Sequence, residues 1–252
     1  MSETEKISPI LLDCTIRDGG YVNDFRFTRE EIIGVVSSLC QAGIKFIEIG
    51  HGLGLGAYRK KADPLVLSDE AGLDAALGVS EGAKVGMFFI PGIGNDDDIQ
   101  KAAKKGMSFI RIGVNASEFE KSFHYLELAK DLGMSVFLNF MKSYTVPKLK
   151  LLKCSKRIEQ IGVEAIYLVD SAGGMLPLEV GETICMLREN LATKIGFHGH
   201  NNLMLVNANN MAAIENGATY IDTTIMGMGR SGGNSSTESM IYILKRMGYD
   251  TP

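Results

Sequence analysis

The sequence predicts an α/β fold, a (β/α)8 TIM barrel running as one domain over residues 1–252. Two observations point there: eight short apolar runs of β-type residues, and longer amphipathic segments between them in a repeated strand-then-helix order. A third weakens the main competitor, because an open doubly wound sheet would give a similar string, yet no Gly-x-Gly-x-x-Gly follows the first run. Near-continuous apolar strands alternating with helices imply a parallel sheet covered on both faces.

PILLDCT (9–15) is the first strand, and TREEIIGVVSSLCQAG (28–43) the first helix, ending at a glycine, the favoured residue just past a helix C-terminus. KFIEIG (45–50) is the second strand; the GLGLG behind it (52–56) does not run straight into a helix and reads as a loop. KVGMFFI (84–90) and SFIRIG (108–113) are the third and fourth strands, separated by the helical DDDIQKAAKKG (96–106). EFEKSFHYLELAKDLG (118–133) leads as a helix into SVFLNF (135–140), and PKLKLLKCSKRIEQIG (147–162) into AIYLVD (165–170). KIGFHGH (194–200), the helix LVNANNMAAIENGA (205–218) and TYIDTTI (219–225) complete the series. Asp13 and Glu48 are charges inside strands that should otherwise be apolar, so each is expected to have a partner within the barrel. Among the 13 methionines, mostly core filler, Met141 is placed to line a pocket. His124 falls in a helical pattern and reads as surface or packing.

Bulk properties narrow the function. At 45% hydrophobic residues, 252 residues bury a large core. The net charge of −4 comes from mixed charges without a basic cluster, so no nucleic-acid partner is expected. Cys14, Cys40, Cys154 and Cys185 are widely spaced and sit in apolar stretches, which implies reduced, buried thiols in a cytoplasmic protein. MSETEKISPI (1–10) has no signal-peptide pattern, and no apolar run approaches the roughly 18 residues that span a bilayer, so no membrane association is expected.

GFHGHNNL (196–203) holds two of the four histidines. Side chains alternate along a strand, so His198 and His200 share one face at the end of strand seven, where barrel active sites form. A bare His-x-His also suits two strand-end histidines making ordinary hydrogen bonds. The neighbouring strand ends add to the metal reading: TIRDGG (15–20) offers Arg17 and Asp18, and GMGRSGGN (227–234) offers Asn234. Two imidazoles with one or two oxygen ligands suit Mn²⁺, Mg²⁺, Co²⁺ or Zn²⁺, with Mn²⁺ heading the expectation.

DCTIRDGG (13–20), FHGHNNL (197–203) and GMGRSGGN together resemble the DRE-TIM metallolyase superfamily. That superfamily includes 4-hydroxy-2-oxovalerate aldolase, 3-hydroxy-3-methylglutaryl-CoA lyase, isopropylmalate synthase and homocitrate synthase. EIGHG (48–52), IPGIG (90–94) and VDSAGG (169–174) are most similar to the aldolase branch. The resemblance covers nearly the whole sequence, which ends with the catalytic barrel. It implies C–C bond chemistry through a metal-stabilised enolate, a 4-hydroxy-2-oxo acid giving pyruvate and an aldehyde. It assigns the metal to Asp18, His198 and His200, with Asn234 as a further ligand or support. Arg17 would hold the enolate oxygen, and Ser171 would contact substrate. From the residues alone, Asn139, Lys142 and Arg111 lie near the mouths of strands five and four, with Asn139 a candidate substrate contact, and Glu48 could orient Arg17, reach the substrate or form a structural ion pair. Tyr21 stands where the aldolase branch has a histidine base and could transfer protons with a lowered pKa; His51 is a second candidate.

The departures keep other readings open. A C-terminal region that meets a dehydrogenase in the aldolase branch has no counterpart within these residues, so that partner is not expected, whereas a homo-oligomer is. The loop at 227–234 lacks the cysteine of the lyases, and RDGGY with Arg230 alone departs from the synthases. An acyl-CoA-dependent Claisen-type synthase and a non-catalytic binding homologue remain alternatives, as does a Schiff-base mechanism on Lys142.

Overall fold

The computed structural model describes residues 8–60 and 63–251. The N-terminal residues 1–7, part of the stretch expected to carry no signal peptide, lie outside the described residues. Eight parallel strands close in chain order: β1 (Ile10–Asp13), β2 (Phe46–Ile49), β3 (Lys84–Phe89), β4 (Phe109–Asn115), β5 (Ser135–Met141), β6 (Ala165–Asp170), β7 (Lys194–Gly199) and β8 (Tyr220–Thr223). β8 returns to β1, with Leu12 opposite Asp222. Around them lie α1 (Arg29–Gln41), α2 (Asp69–Leu77), α3 (Asp96–Lys104), α4 (Phe123–Asp131), α5 (Lys148–Glu159), α6 (Pro177–Asn190), α7 (Val206–Glu215) and α8 (Thr237–Arg246). The barrel expected from the sequence is the fold observed.

Each apolar run became a strand, some shorter than expected. The first ends at Asp13 because the Asp18 and Gly19 amides turn back onto the Cys14 carbonyl. The helical pattern at 118–133 is divided: Ala116–Ser122 is a 3-10 segment interrupted at Glu118, and α4 starts only at Phe123. Helix starts follow local chemistry. Thr28 accepts the Glu31 amide while the Glu31 carboxylate accepts the Thr28 amide, a reciprocal cap that starts α1.

Period-two alternation builds the barrel interior in layers. Leu12, Phe46, Phe109, Phe137, Tyr167 and Tyr220 point inward as an aromatic-rich plug, with Phe137 and Tyr220 edge to face at 5.3 Å. Gly196 makes room for this plug, since a Cβ there would lie 2.5 Å from the Tyr167 ring. Two residues on, in the same phase, come Glu48, Arg111, Asn139, His198 and Asp222, all buried. A polar layer therefore sits directly above an apolar floor. The larger apolar core fills the space between sheet and helices.

Asp13 is out of that phase, and its partners lie outside the barrel rather than within it. Its carboxylate accepts from the Thr15 amide at 2.8 Å and from the Thr15 and Thr237 hydroxyls at 2.9 and 3.3 Å, against the start of α8. Burial outweighs these bonds and pushes its carboxyl up to about 7. The folded state thus holds a proton that the unfolded chain releases near 3.8, so stability falls as pH rises between those values. We expect Asp13→Asn to flatten this slope, removing on the order of 2 kcal/mol of the loss between pH 5 and 8. Urea midpoints at the two pH values check it, with parallel shifts in both proteins the contrary result. Asp69, pushed up to about 6 by burial, leaves a residual slope of the same sign.

All four cysteines are free. Cys14 and Cys154 are buried as expected, but Cys40 and Cys185 are only partly so, near the C-terminal end of α1 and along α6. Among the described residues, no helix is long and apolar enough to cross a membrane.

Candidate active site

The site lies at the C-terminal mouth of the barrel, a cleft of about 500 Å³ open to solvent. His198 and His200 both point into it, as the strand alternation predicts. Asp18 reaches it from the turn after β1, held by its amide bond to the Cys14 carbonyl at 2.8 Å. One Asp18 carboxylate oxygen, Oδ2, lies 3.9 Å from His198 Nε2 and 3.8 Å from His200 Nδ1. The three potential ligand atoms lie within 4.8 Å of one another. Asn234 donates to the same Oδ2 at 2.6 Å and to the Met228 carbonyl at 3.2 Å.

The donor chemistry fits a divalent cation. His200 Nδ1 and Asn234 Oδ1 are buried and make no hydrogen bond, a costly state for polar atoms that an ion between them would relieve. Burial, with His198 nearby, brings the His200 imidazole down to about 4, so it is a neutral lone-pair donor. Burial alone would raise the Asp18 carboxyl, but Arg17 and the two imidazoles outweigh it and hold it at about 2. A second cluster, Cys14 with His198 and Asp222, has similar spacing. The Arg111 guanidinium touches Cys14 at 3.4 Å and Asp222 at 2.5 Å, and burial pushes the thiol well up, so that cluster does not suit a cation.

From the cleft downward, five charged residues form one chain of contacts. Arg17 donates through Nε to Glu48 Oε2 at 2.7 Å and through Nη1 to Asp18 at 3.1 Å. The same Glu48 oxygen accepts Arg111 Nη1 at 3.1 Å, and Arg111 Nη2 donates to Asp222 Oδ2. That Asp222 oxygen lies 2.7 Å from His198 Nδ1. Arg111 also stacks on Tyr167, 4.3 Å from the ring centroid. Burial opposes ionisation of Asp222, yet Arg111 and His198 outweigh it and lower its pKa.

Of the residues expected from sequence, Arg17, Asp18, Tyr21, Asn139, Ser171, His198 and His200 line the cleft, as does Met141. Asn234 backs it through Asp18. Glu48 lies beneath, fully buried under Arg17, and is not among the lining residues. His51 turns away: its Nδ1 accepts the Leu53 amide at 3.0 Å and its ring stacks on Phe25 at 3.7 Å, beside a neighbouring hollow. The Tyr21 pKa is raised rather than lowered, because burial and the Asp18 charge both favour the neutral phenol. Arg111 lies in the closed interior rather than near the mouth, and Lys142 is exposed, without the desolvation a Schiff-base lysine needs. His124 is on the surface, paired with Asp96.

Sequence reasoning missed Asp222 and the position of Arg111. Their common signal was phase: each stands two residues beyond an inward aromatic, Tyr220 and Phe109.

Residues 8–252 match the family model described as HMGL-like. The chain belongs to the HMGL-like family. It is 38% identical over 241 residues to 4-hydroxy-2-oxovalerate aldolase of Carboxydothermus hydrogenoformans, covering 96% of this chain and 72% of that one. The enzyme of the same name from Bacillus cereus is 38% identical over 239 residues, covering 95% and 70%. The crystal structure of Bacillus subtilis HMG-CoA lyase superposes with a TM-score of 0.78 at 21% identity, over 98% of this chain and 88% of that one, a likeness of fold. The expected kinship with aldolases and lyases is borne out, and with 38% identity to these aldolases over 95–96% of its length the chain is a C–C lyase of that lineage.

Proposed function

We propose that this HMGL-like barrel cleaves a 4-hydroxy-2-oxo acid to pyruvate and an aldehyde, or runs the reverse addition, with a divalent ion, Mn²⁺ first among candidates. The convergence of Asp18, His198 and His200 beside Arg17 carries the proposal. The three would hold the ion, with Asn234 in support; when bound, it supplies Lewis-acid stabilisation of charge on the 2-oxo acid oxygens. The names of the relatives support the substrate class.

The chain's own residues divide the remaining work. Arg17 uses Nε on Glu48 and Nη1 on Asp18, which leaves Nη2 for a substrate oxygen where enolate charge grows. Glu48 acts through Arg17, fixing its plane. Asn139, whose Oδ1 is buried and unbonded, and Ser171 offer polar contacts on the opposite wall. Tyr21, held as a neutral phenol, is placed to donate a proton to the enolate carbon and to take one from the next substrate hydroxyl. His51, outside the cleft, is given no step.

We further propose one catalytic domain acting on small molecules in the cytoplasm, in keeping with the free cysteines. A homo-oligomer fits the exposed Leu149, Leu176 and Leu178 at the starts of α5 and α6.

Exchange of pyruvate methyl protons for deuterium, followed by NMR, tests the chemistry. Exchange is expected with Mn²⁺ and should fall to the buffer rate on adding a chelator. Equal rates in both conditions, or none in either, would overturn the proposal.

A further inference from the structure

We propose that Arg230 reads a carboxylate on the far half of the substrate, so that the carbonyl product released beside pyruvate is itself an acid. The inference rests on the aldolase reading and deepens it from a substrate family to a substrate charge.

The cleft is lined by two guanidinium groups, and they are in different electrostatic states. Arg17 is neutralised by Glu48 at 2.7 Å and Asp18 at 3.1 Å. Arg230 lines the same cleft yet pairs with no carboxylate among the described residues, and its one hydrogen bond there is to the neutral Ser171 carbonyl, at 3.0 Å. That bond carries it from the loop after β8 to the end of β6, and its guanidinium lies 5.9 Å from the centroid of the Tyr21 ring. A positive group without a counter-charge, beside residues suited to holding a cation, adds repulsion there unless an anion joins it.

The loop bearing Arg230 is also fixed in place. The Gly232 amide donates to Asn202 Oδ1 at 2.7 Å, the Asn201 amide to the Gly233 carbonyl at 2.9 Å, and the Gly233 amide to the Arg230 carbonyl at 3.0 Å. Asn202 in turn donates to the Ala172 carbonyl at 2.6 Å, tying the loop to the β6 end. On this fixed loop the Arg230 side chain is exposed at the cleft rim, with one bond to the Ser171 carbonyl and N–H groups left over, which suits a planar carboxylate in two-point contact.

The reaction balances for such a substrate. The C3–C4 bond breaks and its electron pair becomes the pyruvate enolate. The proton on the C4 hydroxyl leaves as that carbon becomes a carbonyl, and C3 takes up one proton. The far carboxylate does not react, so Arg230 is a specificity residue.

Two five-carbon probes differ only at that end: 4-hydroxy-2-oxoglutarate carries a carboxylate where 4-hydroxy-2-oxopentanoate carries a methyl. We expect wild-type kcat/KM to favour the first by about tenfold or more. Arg230→Gln, which can still reach the Ser171 carbonyl, should bring the ratio toward one through KM of the anionic probe. Arg230→Lys should restore part of it. The ratio for each protein uses its own neutral probe as reference, so a general loss of folding or rate cancels. Wild-type pyruvate exchange is measured alongside. Exchange with a ratio near one, or a ratio unchanged in Arg230→Gln, would overturn this inference while leaving the aldolase reading intact. Absence of exchange together with cleavage of neither probe would overturn both.

Discussion

His200→Ala is expected to lower both Mn²⁺ affinity and metal-dependent pyruvate exchange by at least about 100-fold, more than the 10–100-fold typical of losing a ligand's support. The reason lies in what His200 does without a metal. Its Nδ1 is buried and has no hydrogen-bond partner, while the charge of Asp18 Oδ2 lies 3.8 Å away. A neutral imidazole, with its pKa brought down to about 4, contributes little to the fold in that state, so the variant should stay folded with a small change in melting temperature. His198→Ala should lose the metal equally but cost more stability, because Asp222 would lose the partner now 2.7 Å from its carboxylate. Free Mn²⁺ measured by EPR, with thermal melts of both variants, separates ligand loss from unfolding. Metal binding and exchange retained in both alanine variants would remove the basis of the site.

The convergence of the two histidines was legible because strand alternation is a rigid rule: two histidines two residues apart at a strand end must share a face. The same rule explains what was not legible. Asp13 and Glu48 look alike as lone charges in apolar strands, and only the phase relative to inward Leu12 and Phe46 sends one outside and the other beneath Arg17. That phase depends on where each strand begins, which apolar runs do not mark sharply. His51 sits beyond Gly50, whose φ of 94° takes the chain out of the extended state, so alternation no longer says where the ring points. Asp222 was hidden for another reason. It bridges His198 and Arg111, 24 and 111 residues away in sequence, and no local spacing records contacts across the barrel.

The contact of Asp222 with His198 carries the second large effect. Asp222→Asn is expected to weaken Mn²⁺ binding by about 10–100-fold although Asp222 is not assigned as a metal ligand. An ionised carboxylate only accepts, so Asp222 Oδ2 at 2.7 Å holds a proton on His198 Nδ1 and directs Nε2, on the Asp18 side, to serve as the lone-pair donor. Asparagine can turn an N–H toward Nδ1 instead, and the proton then moves to Nε2, where it blocks metal. Arg111 sharpens the effect, because its contact with Asp222 keeps the carboxylate ionised despite full burial. The substitution also leaves Arg111 with Glu48 alone as counter-charge, so the variant should lose about 3 kcal/mol of stability. Imidazole ¹⁵N NMR of the metal-free protein reads the tautomer directly: wild type should show His198 protonated on Nδ1, and the variant should shift toward Nε2. A variant that loses stability yet keeps both the tautomer and the Mn²⁺ affinity would make Asp222 a packing partner of Arg111 and no more. A shifted tautomer with weakened binding would mean that the buried charge layer sets the proton on His198 and so helps build the site.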